Sequence, residues 1–332
     1  MILLTGGAGF IGSHTALELM ASGHQLVLVD NLSNAQLSVI ERLEQLSGKA
    51  VPFHEGDVGD LAFLESVFQQ YDVTDVIHFA GSKSVSESID RPLEYYDNNV
   101  GSTESLLKIM ELHDVRSLVF SSSATVYGPI ETMPLQESMT RLPASNPYGL
   151  TKQLVEDLLE SLAEQDGRWA ITSLRYFNPI GAHPSGLIGE NPADKPNNVM
   201  PLLMAAAAGD IERLTVFGDD YETPDGTGVR DFIHVVDLAK GHIKALEHNR
   251  SHAGHHVFNL GTGKGASVRE LITTFEAVTG VTVPHEMGPR REGDVAESYA
   301  DVTKAKEKLS WEAEYNLEAM CRHAWRFYSQ QP

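Results

Sequence analysis

The segment "SNPYGLTK", Ser145 to Lys152, sets a tyrosine and a lysine four residues apart immediately after Pro147. Proline suits the first position of a helix, so Tyr148 and Lys152 are expected on one helical face. Such a pair could move a proton. A free phenol titrates near 10, so work as a base at neutral pH requires a shift of roughly 4 kcal/mol. A cation about 4 Å away can provide energy of that order. Spacing alone does not separate this pair from an ordinary solvated helix face. Two other stretches do: "FSSSATVYG", in which Ser121 and Ser123 close an apolar run, and "TGGAGFIG", in which Gly6, Gly9 and Gly12 follow one.

The glycine stretch stands between the β-type run "ILLT" and a helical run that takes in Phe10 and Ile11. Glycines there allow a tight turn and close approach to a pyrophosphate, while the helix N-terminus offers amide donors to the anion. Asp30 ends the next β-type run, where a carboxylate can accept hydrogen bonds from an adenine ribose. Asn31 follows it, and no Arg or Lys occurs before Arg42, so a 2′-phosphate would face a carboxylate without a cation. NAD is therefore expected rather than NADP. Asp57 and Val58, closing "EGDV", are placed to meet the adenine. In a dinucleotide fold, the end of the run over 117–123 is where a substrate hydroxyl would lie beside a nicotinamide, and Tyr148 with Lys152 then reads as the proton-transfer pair.

These residues need a frame to hold them. Runs at 2–5, 25–30, 51–58, 75–80, 117–123 and 169–177 are apolar and β-rich, with helical patterns between them, among them 13–22 and 148–164. Short strands buried on both faces and alternating with helices predict an α/β, Rossmann-like doubly wound parallel sheet. Its ligands bind at the C-terminal ends of the strands. After about Asn178, Pro- and Gly-rich connections predict a smaller C-terminal substrate-binding domain over 179–332, while 1–178 form the NAD-binding part. A helix and strand within 231–262 are expected to return to the sheet.

Composition narrows the function. The 332 residues, 42% hydrophobic and 21% charged, suffice for a large core, and a formal charge of −21 disfavours nucleic acid or an anionic membrane as partner. Cys321 is the only cysteine, so no intrachain disulfide or cysteine metal cluster can form. With no leader-like or membrane-spanning run at its start, the chain is expected in the cytoplasm. "HAGHH", with His252, His255 and His256, reads as exposed loop rather than metal site, and the Leu, Ile and Met residues of "TESLLKIMELH" read as a buried helix face.

Taken together, "TGGAGFIGSH", "VIHFAG", "PLEYYDNNV", "FSSSATVYG", "PYGLTK", "LRYFNPIGAHPSG", "PNNVMP", "DGTGVRDFIHVVDLA", "NLGTG" and "RREGD" resemble, in order and over nearly the whole chain, the UDP-glucose (UDP-galactose) 4-epimerase family of extended short-chain dehydrogenases/reductases. The resemblance implies a catalytic set of Ser123, Tyr148 and Lys152. It implies an NAD site that adds Asn34, Phe79, Ala80, Gly81, Lys83, Asn98, Ser121, Tyr176 and Phe177 to the residues above. It implies UDP-sugar contacts at Lys83, Ser123, Ala124, Thr125, Tyr148, Asn178, Asn198, Val199, Phe217, Arg230, Arg291 and Asp294. Tyr148 would take the proton of the sugar 4-hydroxyl as hydride leaves C4 for NAD, and the cofactor would stay bound between turnovers. Lys152 and the positive nicotinamide would both favour the phenolate. Homodimer contacts are implied at the "TESLLKIMELH" and Tyr148 helices.

Ser298 falls where the family walls the sugar's 2-substituent; a small residue there implies use of N-acetylhexosamines as well as UDP-glucose and UDP-galactose. A 4,6-dehydratase would need carboxyl groups where Ala124 and Thr125 stand. UDP-glucuronate 4-epimerisation, and a non-catalytic NAD sensor on the same fold, are the alternatives.

Overall fold

The computed structural model describes residues 1–192, 198–291 and 293–331. Pro196 and Asn197 of "PNNVMP" and Glu292 of "RREGD" lie outside them. The first part of the chain alternates strand and helix: β1 Ile2–Thr5, α1 Phe10–Ala21, β2 Leu26–Asp30, α2 Ser38–Ser47, β3 Phe53–Glu55, α3 Leu61–Gln70 and β4 Asp75–His78. Short helices α4 Val85–Asp90 and α5 Pro92–Tyr95 and a π-helical turn, Tyr96–Gly101, lead into α6 Ser102–Leu112, β5 Ser117–Ser123, α7 Pro147–Gln165 and β6 Ala170–Tyr176. Then come β7 Asn178–Ile180, α8 Val199–Ala208, β8 Leu214–Phe217, β9 Val229–Arg230, β10 Phe232–His234, α9 Val235–Asn249 and β11 Gly254–Leu260. The remainder is β12 Ala266–Ser267, α10 Val268–Thr279, β13 His285–Gly288, β14 Glu297–Ser298, α11 Thr303–Leu309 and α12 Leu317–Tyr328.

Seven strands form one parallel sheet in the order β11-β6-β5-β4-β1-β2-β3. The order reverses between β1 and β4, which opens a crevice at their C-terminal ends. Alternate side chains serve opposite layers. Leu4, Leu28, Ile77 and Leu174 pack with residues of α1 and α9, whereas Leu3, Val27, Val76 and Leu118 pack with α3, α6 and α7. A separate core joins α8, α10 and α12 around Leu203, Phe232, Phe275 and Met320.

β11 pairs with β6 along its whole length, and α9 lies against α1. Three details differ from expectation. The third strand is only Phe53–Glu55, because Gly56 and Asp57 begin a turn in which the Asp57 carboxylate accepts from Gly59 N at 2.7 Å. His255 and His256 are half-buried in edge strand β11 rather than exposed in a loop; the His255 ring lies 2.8 Å from Ser173 Oγ. On α6, Leu106, Leu107, Ile109 and Met110 are buried as expected, but Leu112, the last residue of the helix, is 65% exposed.

Candidate active site

The glycine loop turns at the crevice with little room. A Cβ on Gly6 would meet Ala80 N at 2.7 Å, and one on Gly12 would meet Gly6 O at 2.2 Å. Gly6 has φ +67°, which a side chain would strain. Gly9 occupies the cap position of α1 and no side chain caps it, so the first amides of the helix, at Phe10 and Ile11, face the crevice as anion donors. The Asp30 carboxylate, 8% exposed, braces this loop: it accepts from Ala8 N at 3.0 Å and from Leu32 N at 2.9 Å. Burial raises its pKa and those amides oppose the rise. Asn31 and Asn34 lie in the turn after β2, and the Asn31 amide donates to Asp57 at 3.1 Å, beside buried Val58. This arrangement fits a dinucleotide.

Phe79, Ala80, Gly81 and Lys83 follow β4 on the other side of the crevice, with Phe79 N donating to Thr5 O at 3.0 Å. Asn98 and Asn99 come from the π-helical turn, an irregularity that re-aims side chains. Asn98 donates to Ser82 Oγ at 2.7 Å; Asn99 holds Ser82 N and O and reaches Thr151 Oγ1 at 3.0 Å. Thus α7 is tied to the loop bearing Lys83.

Helix α7 begins at Pro147 and is capped by the Asn146 side chain, which accepts from Gly149 N at 2.8 Å. That cap places Tyr148 in the first turn, opposite the end of β5. Ser123 Oγ accepts from Thr125 N at 3.2 Å and Thr125 Oγ1 at 3.0 Å, so its own proton is available to another oxygen. Ala124 and Thr125 begin the 3₁₀ turn that follows. Lys152 Nζ donates to Ser121 O at 2.8 Å and lies 5.9 Å from the centre of the Tyr148 ring. Burial lowers the lysine to about 8, against the pull of Glu156. Burial raises the Tyr148 phenol, and the facing Ser123 hydroxyl opposes that rise.

Ser122 alternates to the opposite face of β5 and donates to Glu156 at 2.5 Å. Glu156 also pairs with Arg175 at 2.6 Å and Arg141 at 3.3 Å. Burial alone would raise its carboxyl, but Arg175, Ser122 and Arg141 hold it below the ordinary range. A cavity of about 570 Å³ behind α7, lined in part by Arg141, Glu156, Arg175 and His255, belongs to this bracing network and contains none of Ser123, Tyr148 and Lys152.

Tyr176 ends β6, buried Phe177 follows it, and Asn178 opens β7. On the far side, Arg230 ion-pairs with Asp294 at 3.4 Å, and the Arg291 guanidinium lies 4.4 Å from the centre of the Phe217 ring. Ser298 is paired with Arg230 in the β14–β9 ladder. Asn198 precedes Val199 at the start of α8 and donates to Glu190, which also binds Lys83. Asp231, fully buried, accepts from Thr262, Gly263 and Ala300, and so joins the Arg230 strand to the "NLGTG" turn and to the segment after Ser298.

Residues 2–261 match the family described as the NAD dependent epimerase/dehydratase family. The chain belongs to that family. Within it, the chain is 51% identical over 328 residues to the UDP-glucose 4-epimerase of Bacillus subtilis, covering 99% of this chain and 96% of that one. The crystal structure of UDP-glucose 4-epimerase from Bifidobacterium longum with NAD+ and UDP superposes with a TM-score of 0.97 at 47% identity, covering 100% and 98% of the two chains. That from Stenotrophomonas maltophila, with bound NAD and formylated UDP-arabinopyranose, gives 0.96 at 47% identity, covering 99% and 97%.

Glu156, Glu190, Asn99 and Asp231 are the structural partners that motif reading passed over. Asp231 and Asn99 stand inside quoted motifs, and Glu156 lies one helical turn after Lys152. Glu190 has no local signal.

Proposed function

We propose that this protein is an NAD-dependent UDP-glucose 4-epimerase, which reversibly inverts C4 of UDP-glucose and UDP-galactose. The observation that supports this most is the meeting of the glycine loop of β1, the serines of β5 and the Tyr148–Lys152 turn of α7 at one topological switch point. NAD, when bound, accepts a hydride from sugar C4 and returns it to the other face. Gly6, Gly9, Gly12, Asp30 and the segments after β3 and β4 hold it. Tyr148 removes the proton of the 4-hydroxyl, and Ser123 donates a hydrogen bond to the same oxygen. The resulting 4-keto sugar turns over while the UDP arm stays held, and Tyr148 returns the proton as the alcohol re-forms. Arg230 and Arg291 neutralise the pyrophosphate, which is how an acidic chain binds an anion. Asn178, Asn198, Val199 and Phe217 hold uridine and phosphate, and Asp294 meets the ribose.

We assign residues 1–178, with 231–262, to NAD binding, and most of 179–332 to the UDP-sugar. The N-acetylated hexosamines are also substrates, through Ser298. A homodimer is supported by Leu150, Leu154 and Leu158, an exposed stripe at helical spacing on α7; a monomeric mass in solution would refute it. A cytoplasmic location accords with the single buried thiol, Cys321, and no helix among the described residues is long and apolar enough to cross a membrane.

The test is turnover of UDP-galactose, UDP-N-acetylgalactosamine and UDP-glucuronate, each alone, by the purified protein without added NAD, with the 4-epimers resolved by chromatography. Conversion of the first two is expected. Conversion of UDP-galactose alone refutes broad specificity, conversion of UDP-glucuronate alone favours that epimerase, and NAD retention with no turnover favours a sensor.

A further inference from the structure

Glu190 is 8% exposed, and a carboxylate so far out of water must be compensated by its neighbours. One oxygen, Oε1, accepts from Lys83 Nζ at 2.9 Å and from Asn198 Nδ2 at 2.9 Å. The two donors come from different parts of the cleft. Lys83 follows β4, and the backbone beside it is fixed: Asn99 binds Ser82 N at 2.7 Å and Ser82 O at 3.0 Å while reaching Thr151, the residue before Lys152. The Lys83 side chain is 46% exposed, and Glu190 is the ion-pair partner the ammonium meets. Asn198 stands at the cap position of α8 yet makes no capping bond with its side chain; its amide is given to Glu190 instead. A negative charge next to a site for pyrophosphate is unfavourable unless it does something else there, and here it holds a cation and an amide at one point.

We infer that Glu190 is a positioning residue that ties Lys83, on the cofactor side, to Asn198, on the nucleotide side, so that the two act as one unit in binding the UDP-sugar. This rests on the function proposed above. Lys83 placed by Glu190 presents its charge at a fixed distance from α7, and Asn198 is held at the same fixed point. Removing any member frees the other two, so the losses on substitution are not independent.

The experiment is a binding cycle with UDP as probe, measured by calorimetry on the protein as purified with its cofactor. Lys83→Ala, Asn198→Ala and the double variant are compared, each with and without Glu190→Ala. With Glu190 present, the double variant should bind UDP at least about threefold better than the product of the single losses predicts, the coupling usual for groups sharing a partner. Adding Glu190→Ala should itself weaken UDP about tenfold and make the two losses multiply. Glu190→Gln, whose carbonyl can still accept from both donors, should restore the coupling, which a purely structural role does not require. Independent losses with Glu190 present, or a coupling that survives Glu190→Ala, would overturn the inference while leaving the epimerase intact. Failure of the unsubstituted protein to bind UDP would overturn the proposed function and this inference with it.

Discussion

Two phenols, half-buried Tyr148 and buried Tyr176, come from adjoining elements, and their surroundings divide the work between them. His242 Nδ1 donates to Leu238 O at 2.8 Å, which leaves Nε2 as the acceptor for the Tyr176 hydroxyl. Burial pushes Tyr176 well above the ordinary phenol value, and its proton is committed. Tyr148 has Ser123 before it and Lys152 one turn away, so it is the phenol equipped for proton transfer. Residue-scale reasoning also reaches specificity. Paired residues in a ladder share a face, so Ser298 points to the Arg230 side, whereas Tyr299 turns toward Gly265, where an added Cβ would lie 3.4 Å from its ring. A tyrosine at 298 would stand where the sugar's 2-substituent is expected. Ser298→Tyr should cut turnover of UDP-N-acetylgalactosamine by roughly tenfold or more and that of UDP-galactose by less than about threefold. Parallel progress curves on the two substrates decide it; equal losses would remove Ser298 as the gate.

At the scale of elements, α7 is tied to the sheet through its apolar face and through Glu156, whose partners Ser122 and Arg175 belong to β5 and β6. Removing a buried partner leaves the other charge uncompensated, so Glu156→Ala should destabilise the fold by about 3–5 kcal/mol, since Arg175 is only 4% exposed. Because the same helix bears Tyr148 and Lys152, turnover at temperatures where the variant remains folded should fall too; chemical denaturation and rate together test this. An unchanged rate in a destabilised variant would mean that the Asn146 cap and the Thr151 tie alone place Tyr148. This helix also shows why some of the site was legible beforehand. Pro147 and the 148/152 spacing are local signals, as are the glycines after β1 and Asp30 after β2. Glu156, Glu190 and Asp231 act through partners that include Arg175, Lys83 and Thr262, 19, 107 and 31 positions away, and no window of sequence registers bonds of that range. The strand position of His255 has a related cause, since pairing at a sheet edge overrides the turn-like composition of "HAGHH", whereas the third strand is short because Asp57 caps a local turn.

For the whole molecule, the dominant electrostatic fact is a formal charge of −21, against which the proposed anion contacts are two arginines and a lysine. Histidine sets a second global property. His14, His78, His234 and His242 are each at most 1% exposed and come from α1, β4, β10 and α9. Burial lowers all four, to about 3, 3, 2 and 4 respectively, with neighbouring charges contributing: His183 at His14, Lys152 at His78, and His323, His14, His183 and Lys240 at His234. Burial thus favours the neutral form of each in the fold, and at His234 the geometry agrees. His234 accepts from Val236 N at 3.0 Å on one nitrogen and meets His323 at 3.0 Å with the other. The unfolded chain binds a proton at each near pH 6.5, whereas the folded chain does so only near its lowered value, so between these limits the unfolded state holds more protons. Stability present above pH 6.5 must therefore be lost as the pH falls, by up to about 1.4 kcal/mol per pH unit for each histidine. Thermal unfolding followed at pH 7.5, 6.5, 5.5 and 4.5 should show a midpoint nearly level over the first interval and falling ever more steeply below it. His78→Asn, which can still bond Thr5 or Thr103 but takes up no proton, should flatten that fall. A midpoint unchanged down to pH 4.5 would mean that these rings are protonated within the fold.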